Sequence, residues 1–126
     1  MNAMVVPTVR SESRVKLIVV DDDQEVRSIV ADFLADAGYW VLQAADGAQA
    51  LVLIADDPFL RMMISDIRMP KMSGIELAEE AVRLRPKLRV ILISGFIDQP
   101  HAWPFLMKPF RRSRLYDLVA HEMGRA

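Results

Sequence analysis

Cysteine is absent from the 126 residues. That excludes disulfides and thiolate metal sites, and it suits a reducing cytoplasm. Long apolar runs are absent too: none approaches the roughly 18 residues that mark a membrane span. No secretory leader is predicted, because Met1–Val9 is only mildly apolar, is broken by Pro7 and has no basic start. The expected compartment is the cytoplasm, with no membrane partner. Net charge is nearly absent as well, 16 basic against 17 acidic side chains. The balance conceals a division. Between positions 21 and 57, Asp21, Asp22, Asp23, Glu25, Asp32, Asp36, Asp46, Asp56 and Asp57 stand against the single base Arg27. Beyond Pro100, Lys108, Arg111, Arg112, Arg114 and Arg125 outweigh Asp117 and Glu122. That basic end lacks interleaved aromatics and any reading motif, so no direct nucleic-acid partner is expected.

The chain is 52% apolar and 26% charged, which predicts one soluble globular domain with a single real core. Residues 1–14 lack periodicity and read as a flexible tail; the domain is expected over 15–124. It begins with the β-branched run Val15–Val20. Val26, Ile29, Val30, Phe33, Leu34 and Ala37 then recur at helical spacing, and Gly38 stops the helix. The alternation repeats: a strand over Tyr39–Ala44, a helix over Asp46–Ala55 with Asp46 as cap, a strand over Leu60–Ser65. A helix over Ser73–Arg85 presents Ile75, Ala78, Ala81 and Val82 inward and ends at Pro86. Leu88–Ile93 reads as the most apolar strand, Phe105–Met107 as a short last one. Arg111–Met123 reads as a closing helix with Leu115, Leu118 and Val119 inward. Within these elements Met62 and Met63 are read as core and edge of the third strand, and Trp40 and Trp103 as packing residues. Arg111, Arg112 and Arg114 are read as a solvated face. His101 and His121 are given no function, since a phosphotransfer histidine belongs mid-helix in a bundle. Strands alternating with helices predict an α/β fold, a doubly wound five-stranded parallel sheet. In such sheets ligands bind beyond the C-terminal strand ends, where strand order reverses.

Those ends carry the chemistry. Asp21-Asp22-Asp23 follows the first strand, Asp66 the third, Ser94-Gly95 the fourth and Lys108-Pro109 the fifth. Clustered carboxylates repel unless a cation intervenes, and oxygen-only donors favour Mg²⁺. A lysine and a hydroxyl beside a metal-bound carboxylate can receive phosphoryl oxygens. Each residue also has a plainer reading. Asp22 with Glu25 makes a passable capping box. Asp66 before Met69-Pro70 can simply begin a loop. Ser94-Gly95 is an ordinary turn pair, Lys108 a solvated strand edge and Pro109 a helix-start proline. None of these explains why all fall at one edge of one sheet.

Four segments in order, Leu17–Asp23, Ile64–Leu77 (ISDIRMPKMSGIEL), Val90–Gly95 and Met107–Phe110 (MKPF), make the chain resemble a response-regulator receiver domain of two-component signalling. The resemblance implies a flavodoxin-like fold from about Val15 to Met123. It implies Asp66 as phosphoacceptor, with Asp21, Asp22, Asp66 and the main-chain carbonyl of Arg68 around Mg²⁺. It implies that Ser94 and Lys108 bind phosphoryl oxygens, that Lys108–Pro109 is cis, and that Phe105 is an aromatic switch moving with Ser94. The partners implied are a histidine kinase or histidine phosphotransfer protein and a downstream signalling protein; a homodimer stays open. No output domain is expected in the chain, and no enzyme activity beyond its own phosphorylation and dephosphorylation. The alternatives are a receiver-like interaction module that takes no phosphate, or a small Mg²⁺-dependent aspartyl phosphatase. The phosphatase wants an Asp-x-Asp spacing and a cap region that this length does not hold.

One stretch departs from the family. Only 14 positions (108 − 94) separate Ser94 from Lys108, and Pro100 and Pro104 lie within them. The helix between the fourth and fifth strands is therefore expected to be absent or about one turn long. The family's receivers attached to hybrid kinases, and some standalone ones, share this shortening. Arg68 and Phe96, each two residues past a key site residue, are bulky and poor at orienting water. They predict a long-lived phosphoaspartate.

Overall fold

The computed structural model describes residues 14–96 and 102–124. The expected tail lies outside the described residues except for Arg14, and so does most of the segment expected to hold a short or missing helix, 97–101. Five strands, β1 (Lys16–Val20), β2 (Trp40–Ala44), β3 (Leu60–Asp66), β4 (Arg89–Ser94) and β5 (Phe105–Met107), form one parallel sheet in the order β2-β1-β3-β4-β5. Four helices are found among the described residues: α1 (Gln24–Asp36), α2 (Gly47–Asp56), α3 (Gly74–Leu84) and α4 (Arg112–Met123).

The side-chain alternation of β1 separates two cores. Ile18 and Val20 pack with Ala50 and Ile54 of α2 and Leu77, Ala78 and Ala81 of α3. Leu17 and Val19 pack with Val30 and Leu34 of α1 and Leu115 and Val119 of α4. The central strands are covered on both faces, which is why they read as unbroken apolar runs. Met62 and Met63 differ from the core-and-edge expectation for the same reason: they point to opposite faces, and both are fully buried.

Helix ends follow local chemistry. Asp23, not Asp22, caps α1, its carboxylate accepting from the amides of Glu25 and Val26. Asp46 caps α2 as expected, accepting from Gln49 N–H. Ser73 and Glu76 form a reciprocal capping box at α3. Gly38, at φ +99°, supplies the left-handed residue after α1. Pro86 disfavours helical geometry at Arg85, which ends α3. The Arg85 guanidinium then turns back to the carbonyls of Ile54 and Asp57 at the end of α2. Ile29 departs from its expected inward place and is 53% exposed. The buried stripe of α1 centres on Val30, Ala31 and Leu34, which leaves Ile29 on its flank. Trp40 is also more open than a packing residue, 37% exposed, with the Lys16 ammonium 4.2 Å above its ring.

Strand order reverses between β1 and β3: the chain moves outward from β1 to β2, then crosses back to β3, β4 and β5. Asp21 and Asp22 leave β1 at this point and Asp66 ends β3 beside them.

Candidate phosphoacceptor and metal site

Asp21, Asp22 and Asp66 each offer a carboxylate oxygen, and the three oxygens lie within 4.8 Å of one another. Asp21 is 5% exposed, Asp66 is half-buried and Asp22 faces solvent. From the end of β5 the Lys108 ammonium reaches Asp66 and Asp21, 3.4 Å from Asp66 Oδ1 and 3.6 Å from Asp21 Oδ2. Burial raises the Asp66 carboxyl above its ordinary value; Lys108 opposes this and the Asp21 charge adds to it. Burial likewise raises Asp21, against the Asp23 amide and Lys108. One ammonium does not offset the crowding of three carboxylates. Hard oxygen donors with that excess of negative charge fit Mg²⁺.

Asp21 and Asp66 are held by their surroundings. The Asp21 amide donates to Ala44 O of β2 at 3.2 Å, and its Oδ1 accepts from the Asp23 amide at 2.9 Å. The Asp66 carbonyl accepts from Ser65 Oγ at 2.8 Å. Just past Asp66, Gly74 N–H donates to Ile67 O at 2.8 Å. A Cβ on Gly74 would lie 2.1 Å from Asp66 O, so only glycine lets the start of α3 approach β3 this closely. Gly74 stood in the motif without this role; its signal was a glycine at the first position of a strongly periodic helix.

Ser94 is buried at the end of β4, and its Oγ accepts from Phe96 N–H at 3.1 Å. Ser94 O accepts from Lys108 N–H at 2.9 Å, tying the β4 end to the β5 end. The Lys108–Pro109 peptide is cis. Phe105 is half-buried against the α2–α3 core. The Arg68 guanidinium lies 4.4 Å from the Phe96 ring centroid. His121 is exposed, as are Arg111, Arg112 and Arg114. Arg112 also lies 5.5 Å over the Phe33 ring.

The family model for the response regulator receiver domain matches residues 17–120. The chain belongs to this family. It is 35% identical over 112 residues to the response regulator receiver protein CpdR of Brucella abortus, covering 82% of this chain and 90% of that protein. It is 36% identical over 107 residues to the C4-dicarboxylate transport transcriptional regulatory protein DctD of Rhizobium meliloti, covering 79% of this chain but only 23% of that longer protein. The crystallised chemotaxis protein CheY4 of Vibrio cholerae superposes with a TM-score of 0.81 at 27% identity, covering 87% of this chain and 99% of that one. The fold is therefore that of a CheY-like receiver, a signalling module of two-component systems. Among the described residues no helix is long and apolar enough to cross a membrane.

Proposed function

We propose that this receiver accepts a phosphoryl group on Asp66 from a phosphohistidine of a histidine kinase or histidine phosphotransfer protein. The observation that carries the reading is the convergence of Asp21 and Asp22 from the end of β1 and Lys108 from the end of β5 on Asp66 at the end of β3. Asp21, Asp22 and Asp66 would hold Mg²⁺, with the main-chain carbonyl of Arg68 completing the protein ligands. When bound, the cation would neutralise charge on the phosphoryl oxygens.

The chain's own groups divide the rest of the work. Asp66 supplies the nucleophilic oxygen: its carboxylate forms the new P–O bond as the P–N bond to the donor imidazole breaks, and the imidazole keeps that electron pair. Lys108 follows the phosphoryl group as a counter-charge, drawn from its place between Asp21 and Asp66. The Ser94 hydroxyl accepts from Phe96 N–H and keeps its own proton to donate to a phosphoryl oxygen. Phe105, on the strand that leads to Lys108, would shift with Ser94 and alter the surface offered to a downstream protein.

Treatment of the protein with acetyl phosphate and Mg²⁺ tests the assignment. The wild type takes up one phosphoryl group, read by intact-protein mass, and Asp66→Asn takes up none. Equal labelling of the variant would place the acceptor elsewhere.

A further inference from the structure

Arg27 is the single base in the acidic stretch between Asp21 and Asp57, and it lies in the first turns of α1. Its backbone amide makes an opening helical bond to Asp23 O, 2.9 Å. Its half-buried guanidinium turns back over the loop. One terminal nitrogen donates to the main-chain carbonyl of Asp21 at 2.8 Å. Nε donates to Gln43 Oε1 at 3.1 Å. Gln43 is on β2, opposite Val19 of β1. The guanidinium thus closes the turn that carries Asp21, Asp22 and Asp23 and fastens it to the neighbouring strand.

We infer that Arg27 is a positioning residue for the divalent cation. It fixes the backbone from which Asp21 and Asp22 project, without touching either carboxylate. This rests on the Mg²⁺ reading above. Two physical effects oppose one another here, which makes the inference decidable. Arg27 is a positive charge near a cation site, so charge alone makes its removal tighten Mg²⁺ binding. A fork that orients the ligand-bearing turn makes its removal weaken binding, because the carboxylates must then be ordered at the moment of binding. The two hydrogen bonds, one to the main chain of the turn and one to a side chain of the neighbouring strand, favour orientation. A lysine keeps the charge and loses the planar fork.

The experiment measures Mg²⁺ affinity by isothermal titration calorimetry, well below the melting temperature, for wild type, Arg27→Met, Arg27→Lys and Gln43→Ala. The expected result is a loss of about tenfold in Arg27→Met. Arg27→Lys shows a loss of similar size, and Gln43→Ala a smaller one in the same direction. Amide hydrogen exchange without metal is the second measurement: the Asp23 amide, bonded to Asp21 Oδ1, exchanges faster in both Arg27 variants. Unchanged or tighter Mg²⁺ binding in Arg27→Met, with Arg27→Lys like wild type, would overturn the inference and leave a charge effect alone. If the Arg27 variants do not fold, Gln43→Ala decides through the same two measurements, since it alters an exposed side chain. A wild type that binds no Mg²⁺ defeats the metal reading itself, and unchanged Asp23 exchange defeats the positioning role independently of metal.

Discussion

Gly74→Ala sets local preference against tertiary fit. Gly74 is the first residue of α3, and alanine is the better helix former by about 1 kcal/mol. Helix propensity alone therefore predicts a more stable protein. The tertiary setting predicts the reverse. The new Cβ would lie 2.1 Å from Asp66 O and 2.9 Å from the Ile67 Cα, both main-chain atoms that cannot rotate away. Relief requires the start of α3 to withdraw from β3. That movement sacrifices the 2.8 Å bond from Gly74 N–H to Ile67 O, at about 1 kcal/mol. Overpacking of a fitted contact adds about 2–3 kcal/mol. After the propensity gain, the expected net loss is about 2–3 kcal/mol, a large share of a small domain's stability. Urea unfolding at neutral pH measures it, with the m-value compared to exclude a changed unfolded state. Gly124→Ala is the control: Gly124 has φ −82° and its added Cβ would meet Ala120 O at 3.4 Å and His121 O at 3.7 Å, with no closer contact, so the change stays within about 0.5 kcal/mol. The strained contact is at Asp66 itself, so the folded Gly74→Ala protein also labels more slowly with acetyl phosphate. A Gly74→Ala protein as stable as wild type would refute the reasoning, since the clash would then be absorbed without moving either segment.

Other predictions follow from the charges and from the two residues stacked beside the site. Burial raises the Asp21 and Asp66 carboxyls, so the folded state binds more protons than the unfolded one just above the ordinary carboxylate value. Metal-free stability therefore falls as pH rises through that window, and the deficit persists at neutral pH; Asp21→Asn raises the melting temperature in excess chelator, and a lower one contradicts the argument. Asp57 has the opposite sign: its hydrogen bond from Lys16, 2.6 Å, holds its carboxyl below the usual range. That stability is complete above the unfolded value and is lost as pH falls through the folded one. Asp57→Asn costs about 1 kcal/mol at pH 7 and nothing once Asp57 of the wild type is protonated; a loss of equal size in acid, by urea unfolding, points away from the ion pair. The phosphorylated protein is expected to decay over minutes in Mg²⁺, because neither Arg68 nor Phe96 offers the acid or amide that would orient a water. Arg68→Asn supplies an amide and shortens the lifetime, followed by loss of radiolabel; a wild type that decays within seconds counts against the idea.

Much of the fold was legible because burial on both sheet faces leaves a coarse signal. β1, β3 and β4 are apolar whichever face is considered, and their helices carry stripes of ordinary width. The misreading of Ile29 arises because periodicity gives a stripe but not its centre. Ile29 satisfies the spacing of α1, yet the helix is rotated toward Ala31 and leaves Ile29 in solvent. Asp22 and Asp23 are equally good caps by type. Only the three-dimensional turn decides that Asp23 takes the α1 amides while the Asp22 carboxylate joins the acidic cluster.

The candidate site was legible to a different degree for its reactive groups and for their supports. Asp21, Asp22, Asp66, Ser94 and Lys108 were readable because a parallel sheet sends every strand's C-terminal end to one edge, so position after a strand implies proximity. The supports obey no such rule. Arg27 meets Gln43 only because β2 pairs with β1 in a register that sets Gln43 opposite Val19. Gly74 matters only because α3 starts in contact with the main chain of Asp66. Both contacts depend on distances between elements, which sequence spacing does not encode. A substitution at Arg27 or Gly74 should therefore look harmless by residue type and still displace a carboxylate, whereas substitution of Arg111, exposed and without a side-chain role in capping α4, should leave the acidic cluster as it is.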